Sequence, residues 1–134
     1  MVAVSAFMGD CEDGRLLAAV RMAGAGGLML YASDDNGKTW SLLHEQLTGP
    51  QQHPGHLTRL SDGRLLLSYG NRAFANRRVP QDIEITSQSR GVDVRFSSDD
   101  GKTWSAPYRV VDFEGDGGYP SSIQLAGERV LTAY

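Results

Sequence analysis

Three observations predict an all-β fold of repeated antiparallel sheets for this 134-residue chain. The octet Ser33-Asp34-Asp35-Asn36-Gly37-Lys38-Thr39-Trp40 returns as Ser97-Ser98-Asp99-Asp100-Gly101-Lys102-Thr103-Trp104, and both copies read S-x-D-x-G-x-T-W. A second echo, Asp13-Gly14-Arg15-Leu16-Leu17, returns as Asp62-Gly63-Arg64-Leu65-Leu66 and more faintly as Gly127-Glu128-Arg129-Val130-Leu131. Between these punctuation points run short alternating apolar segments bounded by Gly, Asp and Asn, with no stretch readable as a helix.

Each octet begins where an alternating run ends and closes on a large aromatic, so it predicts a tight turn between two strands. Ser and Asp side chains can bond the turn amides, Gly can supply a positive φ, and Trp can anchor the returning strand. Strands are expected over 2–8 and 15–22 around Asp13-Gly14, and over 28–33 and 40–46 around the first octet. The plan repeats near 57–61, 64–70, 92–98 and 104–111, joined by Asp62-Gly63 and the second octet. A third unit starts at Ser122 to Leu125, turns at Gly127-Glu128 and runs on from Arg129 to Tyr134. The units are thus 1–49, 50–114 and 115–134, about two and a half four-stranded sheets, and the chain is expected to be a segment of a longer protein. The second unit carries extra residues between its second and third strands, the loop from Arg72 to Arg90.

Thirteen basic and sixteen acidic residues leave a net charge of −3, which gives neither a nucleic-acid footprint nor a polybasic membrane anchor. Lys38 and Lys102 are the only lysines; every other basic residue is an arginine, and five arginines fall between Arg72 and Arg95. That bias suits recognition of carboxylate or phosphate by the planar guanidinium fork, although a solvated loop is an equally good reading. A lone cysteine, Cys11, excludes an internal disulfide and a cysteine-cluster metal site. Apolar stretches such as Leu28 to Ala32 are far too short to span a membrane. No signal peptide is visible, and upstream sequence would have carried one. No cofactor is expected, because no phosphate-binding glycine loop opens a helix and His53 and His56 have no third metal ligand at workable spacing.

In an up-and-down meander, successive connections alternate between the two ends of a sheet. The Asp-Gly turns and the octets therefore share one face, and the second-to-third loops and the inter-unit linkers share the other. Arg21, Asn71, Arg72, Arg77, Arg78 and Arg90, the linker His53-Pro54-Gly55-His56 and the linker Asp112 to Tyr119 all gather opposite the octets. Long loops on a rigid scaffold are where sites are usually built, so this face is the candidate.

The octet resembles the Asp-box of sialidases and related propeller proteins, where it joins the third and fourth strands of a blade. The resemblance implies a six-bladed β-propeller, of which this chain supplies part; there the Asp-box is structural and lies opposite the active site. Gly118-Tyr119-Pro120-Ser121 is similar to the Gly-Tyr-Ser motif that carries the sialidase nucleophile, with a proline interposed. Sialidases depart from two-carboxylate glycoside hydrolysis by using tyrosine. A phenol can attack an anomeric centre bearing a carboxylate without bringing up a second full negative charge. By the same resemblance Arg21 closes a strand like the one ending in an arm of the arginine triad, and Arg90 precedes a strand where another arm is placed, with Arg72 competing for it. His56 and Asp116 are expected to contribute to substrate binding.

The resemblance thus implies a sialidase-like exo-glycoside hydrolase segment, inactive alone, acting on a glycan with a terminal acidic sugar, with the remaining blades as its partners. It favours an extracellular or periplasmic setting. The family's glutamate partner of the tyrosine has no counterpart in Val2 to Met8, and Asp10, Glu12 and Asp13 lie toward the octet face. The first arginine and the general-acid aspartate are expected upstream of residue 1. Two other readings stay open: a non-catalytic Asp-box propeller binding glycans or proteins, and a two-carboxylate hydrolase drawing on Asp112 to Asp116.

Overall fold

A computed structural model describes residues 7–10, 14–22, 26–72, 90–114 and 118–134, the first of these as backbone only. Within them are ten strands and no helix: β1 (Phe7–Asp10), β2 (Leu16–Arg21), β3 (Leu28–Ser33), β4 (Ser41–His44), β5 (Gln52–Arg59), β6 (Leu65–Asn71), β7 (Gly91–Ser97), β8 (Tyr108–Asp112), β9 (Ser121–Gln124) and β10 (Val130–Ala133). They form two four-stranded antiparallel sheets, β1-β2-β3-β4 and β5-β6-β7-β8, and a hairpin, β9-β10.

The octets are turns of the expected chemistry. In the first, Ser33 Oγ donates to Asp35 Oδ1 at 2.8 Å and accepts from Gly37 N at 2.8 Å, and Asp35 accepts from Thr39 N at 2.8 Å and Thr39 Oγ1 at 2.7 Å. Trp40 Nε1 closes the loop on the Gly37 carbonyl at 3.0 Å. The second octet repeats these bonds through Ser97, Asp99, Gly101, Thr103 and Trp104. Two successive residues take positive φ in each copy, Asn36 (59°) and Gly37 (81°), then Asp100 (56°) and Gly101 (83°). This is why Asn or Asp precedes the glycine: both tolerate the left-handed region.

Alternation within β6 decides the packing. Leu65, Leu67 and Tyr69 face the first sheet and join Leu17, Ala19, Leu28, Leu30, Leu47 and Leu57 in the main core; Leu66 faces the other way with Leu60, Val94 and Phe96. All of β6 is buried because both its faces are covered. Each buried leucine contributes about 1.5–3 kcal/mol relative to exposure.

Two boundaries differ from the sequence reading. β5 starts at Gln52, so His53-Pro54-Gly55-His56 is strand and not a linker between units. The long β6 extends pairing to Gln52 opposite Asn71, and a register shift between Gln52 and Gly55 absorbs Pro54, which has no N–H to give. β8 starts at Tyr108 because Trp104 is committed to the octet and Pro107 cannot donate to the ladder.

Register fixes the two ends. Leu16 pairs with Ser33 and Leu65 with Ser97 at the octet end, while Arg21 pairs with Leu28 and Asn71 with Gly91 at the other. Gly118 packs on Gly70, where an added Cβ would lie 2.0 Å from the Gly118 carbonyl oxygen, so the segment entering β9 also sits away from the octets.

Candidate functional site

The end of the sheets opposite the octets carries Tyr119 and its surroundings. Gly118 reaches this position in the left-handed region (φ 81°) with its carbonyl against Gly70, a close approach that a side chain at Gly70 would block. Tyr119 is consequently 61% exposed. Arg72 follows the last residue of β6; its amide donates to the Gln51 carbonyl at 2.9 Å, and its guanidinium carbon stands 4.3 Å from the Tyr119 ring centroid. A cation over the aromatic face is held by the ring quadrupole. Among the described residues no carboxylate contacts the Tyr119 hydroxyl.

Arg21, half-buried, ends β2 at the same end. Its charge and that of Arg72 both act on His53, which is 1% exposed and has no hydrogen-bond partner for either ring nitrogen among the described residues. Burial first, then the two guanidinium charges, lower the His53 pKa to about 4, so the ring is neutral near pH 7. The structure thus sets Arg21 and Arg72 within electrostatic reach of a buried neutral imidazole, with Tyr119 stacked on Arg72.

The other expected residues are placed differently. His56 turns toward β9, where its Nδ1 accepts from Ser122 N at 3.3 Å and lies 3.2 Å from Thr58 Oγ1. It links two sheets, and burial lowers its pKa. Arg90 precedes β7, half-buried, and its carbonyl accepts from Phe113 N at 3.0 Å; the Phe113 ring in turn lies against Gly118. Asp116, Arg77 and Arg78 lie outside the described residues. Asp112 accepts from Arg109 Nη1 at 2.5 Å.

The sequence reading missed a buried polar network below this end. Asp93, fully buried, accepts from Asn71 Nδ2 at 2.8 Å and from Arg109 Nε at 2.5 Å. The signal was present in Val92-Asp93-Val94-Arg95-Phe96, where charges occupy one face of an apolar strand and so demand partners. Among the described residues no group of three His, Cys, Asp or Glu side chains is placed to hold a metal ion.

Comparison with known proteins matches residues 31–42, the end of β3 through the first octet into β4, to the BNR/Asp-box repeat family. A solved structure of a protein of unknown function from Dyadobacter fermentans is similar over 98% of this chain, with a TM-score of 0.70 and 28% identity. This chain covers 35% of that one. No curated protein matches.

Proposed function

We propose that this chain is part of a β-propeller of the sialidase type, an exo-glycoside hydrolase that removes a terminal acidic sugar. The observation that carries the reading is the Arg72 guanidinium on the face of an exposed Tyr119, with Arg21 at the same end of the sheets and the Asp-box turns at the other. The BNR/Asp-box match and the all-β meander support the architecture.

In this reading Arg21 and Arg72, with Arg90, hold the sugar carboxylate through charge-assisted hydrogen bonds and set the anomeric carbon against Tyr119. The Tyr119 oxygen attacks that carbon as the bond to the leaving alcohol breaks, and its proton passes to a base contributed from outside the described residues. Neutral His53 keeps the arginine pair from facing a third positive charge.

A fluorogenic sialoside assay on the full-length protein tests this. Tyr119→Phe is expected to abolish turnover while retaining binding of the free sugar acid. Unchanged turnover in the variant removes the nucleophile assignment. Absent turnover in the parent, with sugar binding retained, assigns the protein to the glycan-binding propellers.

A further inference from the structure

His53 is 1% exposed, and neither ring nitrogen has a hydrogen-bond partner among the described residues. A buried polar group without partners costs free energy, so a fold that keeps one points to a bound ion or a functional role. The strand that carries it is firmly held. Thr48 Oγ1 donates to the Gln52 carbonyl at 2.7 Å and accepts from Leu28 N at 2.9 Å, and Gln52 Oε1 accepts from Gly49 N at 2.7 Å. A Cβ added at Gly55 would stand 2.4 Å from a Leu28 methyl, so β5 lies directly against the start of β3. Leu28 is the register partner of Arg21, which brings the end of β2 to the same place. On the other side the His53 carbonyl lies 3.1 Å from where a Gly70 Cβ would be, two residues before Arg72. His53 is therefore fixed between the end of β2, which is Arg21, and the end of β6, which Arg72 follows.

The charges nearest this imidazole are of one sign. Arg21 is half-buried and has no ion-pair partner among the described residues, and Arg72 is stacked on Tyr119. Tyr69 of β6 is buried, which raises its pKa and keeps the phenol neutral, and beyond β6 the Asp93 carboxylate is engaged by Asn71 and Arg109. β3 carries no charged residue, His56 turns away toward β9, and Asp10 of β1 pairs with Leu16 at the octet end. Two guanidinium groups flanking an unpartnered imidazole suit an anion.

We infer that a carboxylate held by Arg21 and Arg72 is bound together with a proton from solvent, taken up by His53, so that the site binds anions more tightly in acid. In the anion-free protein burial, then the charges of Arg21 and Arg72, hold the ring at about 4 and hence neutral. An anion between the guanidinium groups leaves the burial in place, offsets both positive charges and attracts an imidazolium, so the His53 pKa rises. Between the two values the complex holds more protons than the free protein. Affinity therefore increases as pH falls through the bound-state value and levels off below about 4. The inference rests on the proposed function only in placing a carboxylate at the two arginines; the sugar itself does not enter.

The test uses the full-length protein with ¹⁵N-labelled histidine, titrated by NMR between pH 4.5 and 8 at constant ionic strength. Trifluoroacetate, which stays ionised throughout, is the first probe and the free sugar acid the second. Saturating anion is expected to raise the His53 midpoint by about one pH unit or more, with the His44 signals at the octet end unchanged by it. A rise of that size tightens binding roughly threefold between pH 7 and pH 4.5 and takes up about half a proton per anion at pH 4.5, read by calorimetry in buffers of different ionisation enthalpy. His53→Gln should retain anion binding and lose both effects. Arg21→Gln, which leaves His53 in place, should raise the midpoint without anion and shrink the further rise with it. An anion that binds while the His53 midpoint stays put overturns the inference, as does proton uptake that survives His53→Gln, or binding of neither probe. Trifluoroacetate that shifts His53 where the sugar acid does not bind upholds the coupling and removes the acidic-sugar reading.

Discussion

The guanidinium carbon of Arg72 lies 4.3 Å from the centroid of the Tyr119 ring, so a cation covers one face of a phenol whose remainder is open to solvent. The contact joins the end of β6 to the segment entering β9, coupling two sheets at the candidate site. A double-mutant cycle with Arg72→Ala and Tyr119→Ala is expected to show a coupling of about 0.5–1 kcal/mol, the range for an exposed cation–aromatic pair. Additive urea-unfolding free energies would show that the stack contributes nothing to holding Tyr119.

Arg109 is expected to matter more to stability than any surface arginine. It neutralises Asp93, whose carboxylate has no exposure. Arg109→Met should cost about 3–5 kcal/mol by leaving that charge buried, whereas the pair Arg109→Met with Asp93→Leu should cost much less. Equal losses in the single and double variants, measured by urea melts, would contradict a buried-charge origin.

His53 gives the fold a pH dependence of fixed sign. Its pKa in the folded protein, about 4, lies below the ordinary 6.5, so between these values the unfolded chain binds more protons. The stabilisation is complete above about pH 6.5 and is lost as pH falls toward 4. His56, also held below its ordinary value by burial, adds a slope of the same sign. His53→Leu should therefore flatten, without abolishing, the fall in urea midpoint between pH 7 and pH 4.5; an unchanged slope would place the titration elsewhere.

The two octets are alike in their bonds and unlike in their surroundings. Gly37 and Gly101 share a positive φ, but a Cβ at Gly37 meets nothing nearer than 3.6 Å, whereas one at Gly101 meets Leu30 and Leu17 at 3.1 and 3.2 Å. Gly37→Ala is expected to cost about 1–2 kcal/mol, the penalty for a side chain in the left-handed region, and Gly101→Ala distinctly more. Thermal melts giving equal losses would mean that the second octet does not bear on the core.

Both octet carboxylates respond to acid in the same way. Hydrogen bonds from the Thr39 amide and hydroxyl, and from the Thr103 hydroxyl and amide, hold Asp35 and Asp99 at about 2, below the ordinary 3.8. Their stabilisation is present above that ordinary value and disappears as pH falls toward 2. Thr103→Val, which deletes the hydroxyl and keeps the amide, should move the Asp99 titration upward in carbon-detected NMR; an unmoved titration would contradict the hydroxyl's part.

Turn chemistry was legible because it is local. Ser33, Asp35, Gly37 and Thr39 satisfy one another within a few residues, and the repeat at Ser97 to Thr103 made the pattern visible twice. The sorting of Arg21, Arg72 and Arg90 away from the octets was legible too, since antiparallel connections must alternate between ends. Strand starts beside prolines were not: β5 runs through Pro54 because β6 offers a partner that far, and β8 waits for Tyr108 because Trp104 and Pro107 are otherwise engaged.

From the sequence alone follow the all-β class, the two Asp-box turns and the end of the sheets to which the arginines belong, because each depends on residue type, spacing and strand polarity. Only the tertiary structure decided that His53 is buried between arginine charges while His56 ties β5 to β9, and that Asp93 is neutralised by Arg109. These depend on burial and on charges distant in sequence, quantities that exist only once sheets pack against one another.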